Sequence, residues 1–276
     1  MTATVYAIAN QKGGVGKTTT TQSIAIAMAE LGRAVLVVDG DPQGSLTFSL
    51  GLDPDDLDPT LNDVVAGRAT LVDTILQTEH VDLVPANIDL AGAEITLLSR
   101  TGREYLMRGE LADLLDTYDD ILIDCSPSLG VLTINALTAA DRVIVPVQAE
   151  TLSHRGVSQL LETIDDVRRL TNRSLTVAGV VATMFDGRTR HAREVLTDLL
   201  ARYELDLIGA PVRKSIRFAE APAAGESLLT AGGRSVPGTS AYRIIARVLA
   251  GEAVDDELWA QARWTDEDRV QVLGEE

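Results

Sequence analysis

Two lysines five residues apart, Lys12 and Lys17, sit among glycines in the stretch Lys12-Gly13-Gly14-Val15-Gly16-Lys17-Thr18-Thr19. Glycines at this density let successive backbone N–H groups turn inward on an anion with no Cβ in the way. Residues Gly13, Gly14, Val15, Gly16, Lys17, Thr18 and Thr19 therefore read as a phosphate-binding loop. In it Lys17 reaches the β- and γ-phosphates of a nucleotide and the Thr18 hydroxyl ligates Mg²⁺. The spacing departs from the usual Gly-x-x-x-x-Gly-Lys-[Ser/Thr]: the first glycine is missing and Lys12 stands inside the loop.

Two acidic constellations supply the rest of a hydrolytic site. Asp124 closes the apolar run Ile121-Leu122-Ile123 and precedes the rigid turn Ser126-Pro127-Ser128, which is placed to respond to a γ-phosphate. A lone aspartate at a strand end is most often a turn or helix-cap residue. Paired with a lysine loop it is the carboxylate that holds Mg²⁺, directly or through water. Asp39-Gly40-Asp41-Pro42-Gln43-Gly44 ends another apolar run. Its bland reading is a turn. Its chemical reading assigns Asp41 to positioning the attacking water and Asp39 to the metal shell, on the expectation that this strand lies beside the one feeding the lysine loop.

These residues need a scaffold that brings several strand ends together. Apolar, β-branched runs occur at Val5–Ala9, Ala34–Val38, Val81–Pro85, Asp120–Asp124, Arg142–Val147, Val177–Met184 and Asp206–Val212. Helical patterns fall between them at Thr20–Leu31, Glu104–Leu115, Val131–Ala139, Ser153–Leu170 and Ala192–Tyr203, with a last one near Thr239–Leu249. The alternation predicts a single doubly wound α/β domain, a mostly parallel sheet flanked by helices, over residues 1–251. In such a sheet ligands gather at the carboxyl ends of the strands, where each motif above falls. Residues 252–276 form an acidic tail, expected to be helical around Leu258–Trp264, and residues 225–238 a loop.

Composition narrows the function. The 276 residues carry a formal net charge of −17, which argues against a polyanion-binding surface over the whole molecule. It leaves room for a local basic patch. Only three lysines occur, Lys12, Lys17 and Lys214, so two of them lie in the glycine loop. One cysteine, Cys125, excludes an internal disulfide framework and a four-cysteine cluster within one chain. No apolar run reaches the ~20 residues that span a bilayer, and the N-terminus leads straight into a strand, so a cytoplasmic protein without a signal peptide is expected. His80, His154 and His191 show no metal-ligand spacing.

The lysine loop, Asp39-x-Asp41-Pro42-Gln43-Gly44, Asp124-x-x-Pro127-Ser128-Leu129-Gly130 and Arg217-Phe218-Ala219-Glu220-Ala221-Pro222 together resemble the ParA/MinD group of deviant Walker A P-loop ATPases, and within it the ParA/Soj partition proteins. The resemblance runs through residues 3–250 in consistent order. It implies ATP and Mg²⁺ as cofactors and an ATP-bound homodimer in which Lys12 crosses to the partner subunit's nucleotide, an electrostatic clamp supplied in trans. It places Met184, Pro211 and Val212 against adenine. It also implies sequence-independent contact with double-stranded DNA through basic residues, here Arg188, Arg190, Arg193, Arg213, Lys214 and Arg217, together with a ParB-like adaptor that stimulates a weak ATPase and a nucleoid-associated cytoplasmic location. A MinD-like membrane-cycling ATPase is the alternative, to which the acidic tail is ill suited beside anionic lipid. A small-molecule synthetase on the same loop is a further one.

Overall fold

The computed structural model describes residues 2–150, 153–221, 227–229, 238–265, 268, 272 and 273. Seven strands form one sheet: β1 (Thr4–Ile8), β2 (Val35–Gly40), β3 (Leu76–Gln77), β4 (Asp82–Val84), β5 (Asp120–Cys125), β6 (Arg142–Gln148) and β7 (Thr176–Thr183), in the spatial order β3-β4-β2-β5-β1-β6-β7. All pairings are parallel except the short edge pair β3–β4. The doubly wound α/β fold read from the sequence is what the chain adopts.

Every residue of β2 and of β5 is buried, which explains their uninterrupted apolar character: helices cover both faces. α1 (Lys17–Glu30) is buried from Thr20 to Met28, because it runs between the sheet and α10 (Thr239–Ala250). The remaining long helices are α6 (Val131–Ala139), α7 (Ser153–Leu170) and α8 (Arg190–Tyr203). Short helices escaped the periodicity reading: α2 (Ser45–Ser49), α3 (Leu61–Ala66), α4 (Leu90–Leu97) and α9 (Arg217–Glu220). They span too few turns to show a 3.6-residue repeat.

Three expectations are corrected. The helix read over Glu104–Leu115 is broken into α5 (Leu106–Leu111) between two 3-10 turns, Arg103–Tyr105 and Ala112–Leu114, with Gly109 weakening its interior. The run Asp206–Val212 follows the edge of β7 but makes only isolated bridges, Val180 with Leu207 and Phe185 with Arg213. Gly209 takes φ +66° and Pro211 has no N–H to donate, so a continuous ladder cannot form there. Finally, β2 does not lie beside β1. β5 lies between them, and its register sets Asp124 opposite Ile8 on one side and opposite Asp39 on the other.

The tail helix is α11 (Asp256–Ala262), capped by the Asp255 carboxylate, which accepts the Leu258 N–H at 2.7 Å. Ala262 at its end and Trp264 beyond it join the hydrophobic core. Most of the expected loop 225–238, and Pro222 of the late signature, lie outside the described residues.

The β2–β5 pairing is close enough to be tested. A Cβ on Gly40 would stand 2.7 Å from the Asp124 carbonyl oxygen. Gly40→Ala is therefore expected to lower stability by about 1–3 kcal/mol, the usual range for overpacking. Chemical denaturation measures it, and an unchanged midpoint would contradict the contact.

Candidate nucleotide site

The loop between β1 and α1 needs its glycines where the chain turns left-handed: Gly14 has φ +73° and Gly16 φ +83°, and a Cβ would be strained in either place. Gly16 directly precedes α1, whose first residue is Lys17. The free N–H groups of a helix N-terminus thus face the same space as the loop amides. That space is a cavity of about 650 Å³ walled by Gly13, Gly14, Gly16, Lys17, Thr18 and Thr19 on one side. Val15 is turned away and buried, and its carbonyl accepts the Thr183 hydroxyl at 2.7 Å, which ties the loop to the end of β7.

Lys17 is only 7% exposed and reaches the Lys12 carbonyl at 3.5 Å, the outer limit of a hydrogen bond. Burial lowers its pKa, while Asp124, Cys125 and Asp41 pull it back toward the charged form. A buried cation so weakly engaged, beside inward-facing amides, fits a polyanionic ligand. Asp124 is fully buried behind it. Its Oδ2 accepts the Thr18 hydroxyl at 2.7 Å and its Oδ1 the Thr21 hydroxyl at 3.1 Å. Burial, reinforced by Asp39 on the next strand, raises the Asp124 carboxyl to about 8, against the hydroxyl bonds and Lys17, which favour the anion. An oxygen pair of this kind, one hydroxyl and one reluctantly ionised carboxylate at the foot of a phosphate loop, fits Mg²⁺.

Asp41 stands in the cavity wall, its Oδ1 accepting the Gln43 N–H at 3.0 Å. Asp39 stands behind that wall. Its Oδ1 accepts the Asp41 N–H at 3.2 Å, and its Oδ2 accepts both the N–H and the hydroxyl of Thr47 at 2.8 Å. Burial lifts its carboxyl to about 6, with the Thr47 bonds opposing the shift. Asp39 thus organises the Asp41 turn and reaches the metal position only at one remove, by its charge on Asp124.

The opposite wall comes from distant chain segments. Met184 and Val212 line it and Pro211 is buried outside it. Met184 holds φ +48°, a left-handed conformation uncommon for a side chain of its size. Gln22, Gln43, Phe48, Arg213, Phe218 and Tyr242 also face the cavity. Sequence reasoning did not assign these a nucleotide role. Phe218 lies in a recognised signature, but nothing in its spacing shows that Tyr242, in α10, packs edge-on to it at 5.7 Å.

The basic residues are drawn together but largely compensated. The Arg188 guanidinium donates two hydrogen bonds to Asp186, Arg190 pairs with Glu194, and Arg193 with Asp268. Arg213 donates to the Arg263 carbonyl at 2.9 Å, while Lys214 and Arg217 are exposed. The two arginine stretches meet where Phe185 bridges Arg213, and Arg213 acts electrostatically on Asp186.

A glycine loop on a helix N-terminus, with its lysine, threonine and strand-end aspartates at one edge of a parallel sheet, defines a P-loop nucleotide hydrolase. The comparisons sharpen this. A family model described as an AAA domain matches residues 3–177. The sporulation initiation inhibitor protein Soj of Bacillus subtilis is 40% identical over 248 residues, covering 89% of this chain and 98% of Soj. The chromosome partitioning protein ParA of Caulobacter vibrioides is 42% identical over 255 residues, covering 91% and 95%. A solved structure named cobyrinic acid a,c-diamide synthase, from Mycobacterium smegmatis with a bound ATP analogue and magnesium, superposes with a TM-score of 0.81 at 48% identity and covers 90% of this chain and 94% of that one. The chain belongs to the ParA/Soj branch of the ParA/MinD family of P-loop ATPases.

The buried carboxyl makes a prediction for the metal-free protein. Asp124 has a raised folded-state pKa, about 8 against 3.8. Between these values the folded chain holds a proton that the unfolded chain has released. Its contribution is complete below about pH 4 and lost as pH rises toward 8. In chelator, wild type should therefore lose about 3–6 °C of Tm between pH 6 and pH 8 relative to Asp124→Asn, and Mg²⁺ should reverse part of that loss. Parallel Tm–pH curves for the two proteins would contradict the assignment.

Proposed function

We propose that this chain is an ATP-operated dimerisation switch that binds double-stranded DNA without sequence preference and positions a chromosome, plasmid or other cargo together with a ParB-like adaptor. The observation that carries the reading is the direction of Lys12. It stays out of the wall of its own cavity and sets its ammonium 2.8 Å from Glu150 Oε2 at the surface beside the loop. There a nucleotide held by a second subunit can displace the half-exposed Glu150 carboxylate and take its place at the Lys12 charge. The name of the ParA relative, a chromosome partitioning protein, supports the partition role.

ATP and Mg²⁺ are the cofactors. Lys17 and the amides of residues 13–19 hold the triphosphate, and Thr18 and Asp124 would hold the metal. Asp39 supports that shell from behind, and Asp41 orients the attacking water. Mg²⁺ held there would supply charge neutralisation for the phosphate groups. Met184 and Val212 bound the base, and Pro211 next to Val212 stays outside the cavity. Arg188, Arg190, Arg193, Arg213, Lys214 and Arg217 give phosphate contacts, which position DNA and carry no base readout. Turnover is slow until the adaptor engages. The protein works in the cytoplasm, on the nucleoid when loaded with ATP, with no stable membrane attachment. No helix among the described residues is long and apolar enough to cross a membrane.

The name of the Mycobacterium smegmatis structure favours a second reading, an ATP-dependent amide synthetase. ATP turnover that requires a carboxylic acid and an amide-nitrogen donor, and ignores DNA, would establish it in place of the first.

DNA retention by wild type with ATP, ADP or no nucleotide tests the switch. Retention is expected with ATP alone, to weaken steeply with salt, and to be lost in Lys12→Ala; equal retention in all three states would refute the model. Asp41→Ala should keep ATP-dependent dimers, seen by light scattering, while phosphate release falls about 10²–10⁴-fold. Normal turnover in that variant removes Asp41 from the mechanism.

A further inference from the structure

The acidic tail has a place in the fold that its composition does not announce. Residues 252–276 hold nine acids against Arg263 and Arg269. Trp264 is 6% exposed and packs edge-on against Phe185, with ring centroids 6.0 Å apart and an interplanar angle of 85°. Phe185 follows Met184 of the nucleotide cavity and donates its N–H to the Val212 carbonyl at 2.9 Å. The tail is therefore anchored where the two arginine stretches meet.

On either side of that anchor the tail engages one arginine from each stretch. Arg213 Nη2 donates to the Arg263 carbonyl at 2.9 Å, and Arg193 Nη2 donates to Asp268 Oδ1 at 2.8 Å. The other Asp268 oxygen accepts the N–H and the hydroxyl of Thr265, at 3.1 and 2.9 Å, so the carboxylate is aimed by its own chain. It offers Arg193 the acceptor chemistry that a DNA phosphate would offer.

We propose that the segment carrying Arg263, Trp264, Thr265 and Asp268 is an internal competitor for the DNA surface: docked, it occupies Arg193 and Arg213, and a polyanion gains both only when it lifts. The inference rests on the DNA-binding reading above. Partly exposed ion pairs are individually weak and screened by salt, so Trp264 is the main anchor and the arginine contacts are replaceable. Arg213 also stands in the cavity wall, so the tail and the nucleotide share a side chain.

The test is a salt titration of duplex DNA binding with ATP and Mg²⁺ for the full chain, for Asp268→Asn and for a chain ending at Ala262. Asp268→Asn removes one competing charge and leaves Trp264 seated, so a folding defect in the truncated chain does not decide the matter. Releasing arginines should steepen the slope of log affinity against log salt by about one for Asp268→Asn and about two for the truncation, with roughly tenfold tighter binding at low salt. In a Trp259→Phe background, DNA should shift Trp264 emission to the red. Unchanged affinity and slope in both variants, with Trp264 emission unmoved while wild type retains DNA, would overturn the competitor and leave the DNA reading standing. No retention by any of the proteins at low salt would overturn both.

Discussion

The structure turns on two carboxylates that the sheet forces side by side. Because β5 runs between β1 and β2 in parallel register, Asp124 lies opposite Asp39 and opposite the last residue of the strand that feeds the phosphate loop. Both acids are buried, and both are pushed toward the neutral form, to about 8 and about 6. Two buried carboxylates in adjacent strands resist simultaneous ionisation unless a cation is present. Lys17 supplies part of that compensation, and a divalent metal at Thr18 and Asp124 would supply the rest. The site is thereby destabilised in itself and matched to what it is meant to hold.

The same pair divides the labour. Asp124 keeps its oxygens on hydroxyls at the cavity foot. Asp39 spends its own on the Asp41 and Thr47 backbone, and the Thr47 hydroxyl in turn accepts the Ala86 N–H at 3.1 Å. A turn held from beneath at several points gives Asp41 a fixed bearing on the cavity, the kind of support that water positioning requires. Gly40, pressed against the Asp124 carbonyl, keeps the two strands close enough for this to work.

A third consequence concerns charge at the surface. The chain is strongly acidic, yet its arginines at 188–193 and 213–217 converge at one end of β7. Several are answered by the chain's own acids, Asp186, Glu194 and Asp268. These arginines are thus balanced to a large extent by the chain's own anions.

Residue types and spacing alone determined the lysine loop, the aspartates Asp41 and Asp124 at the strand ends, and the alternating α/β pattern. These rest on local chemistry: glycine torsions, strand-length apolar runs and polar residues at strand ends. Tertiary structure alone decided which strand lies beside which, and so that Asp39 backs the site instead of lining it. It also brought Phe218 and Tyr242 to the far wall of the cavity, and set Asp268 on Arg193 across 75 positions of chain. Such contacts depend on where the sheet order and the tail helix deliver side chains, and sequence periodicity carries no record of that. Lys12 shows both limits at once. Its oddity was visible in the loop, and the fold supplied the direction in which it points.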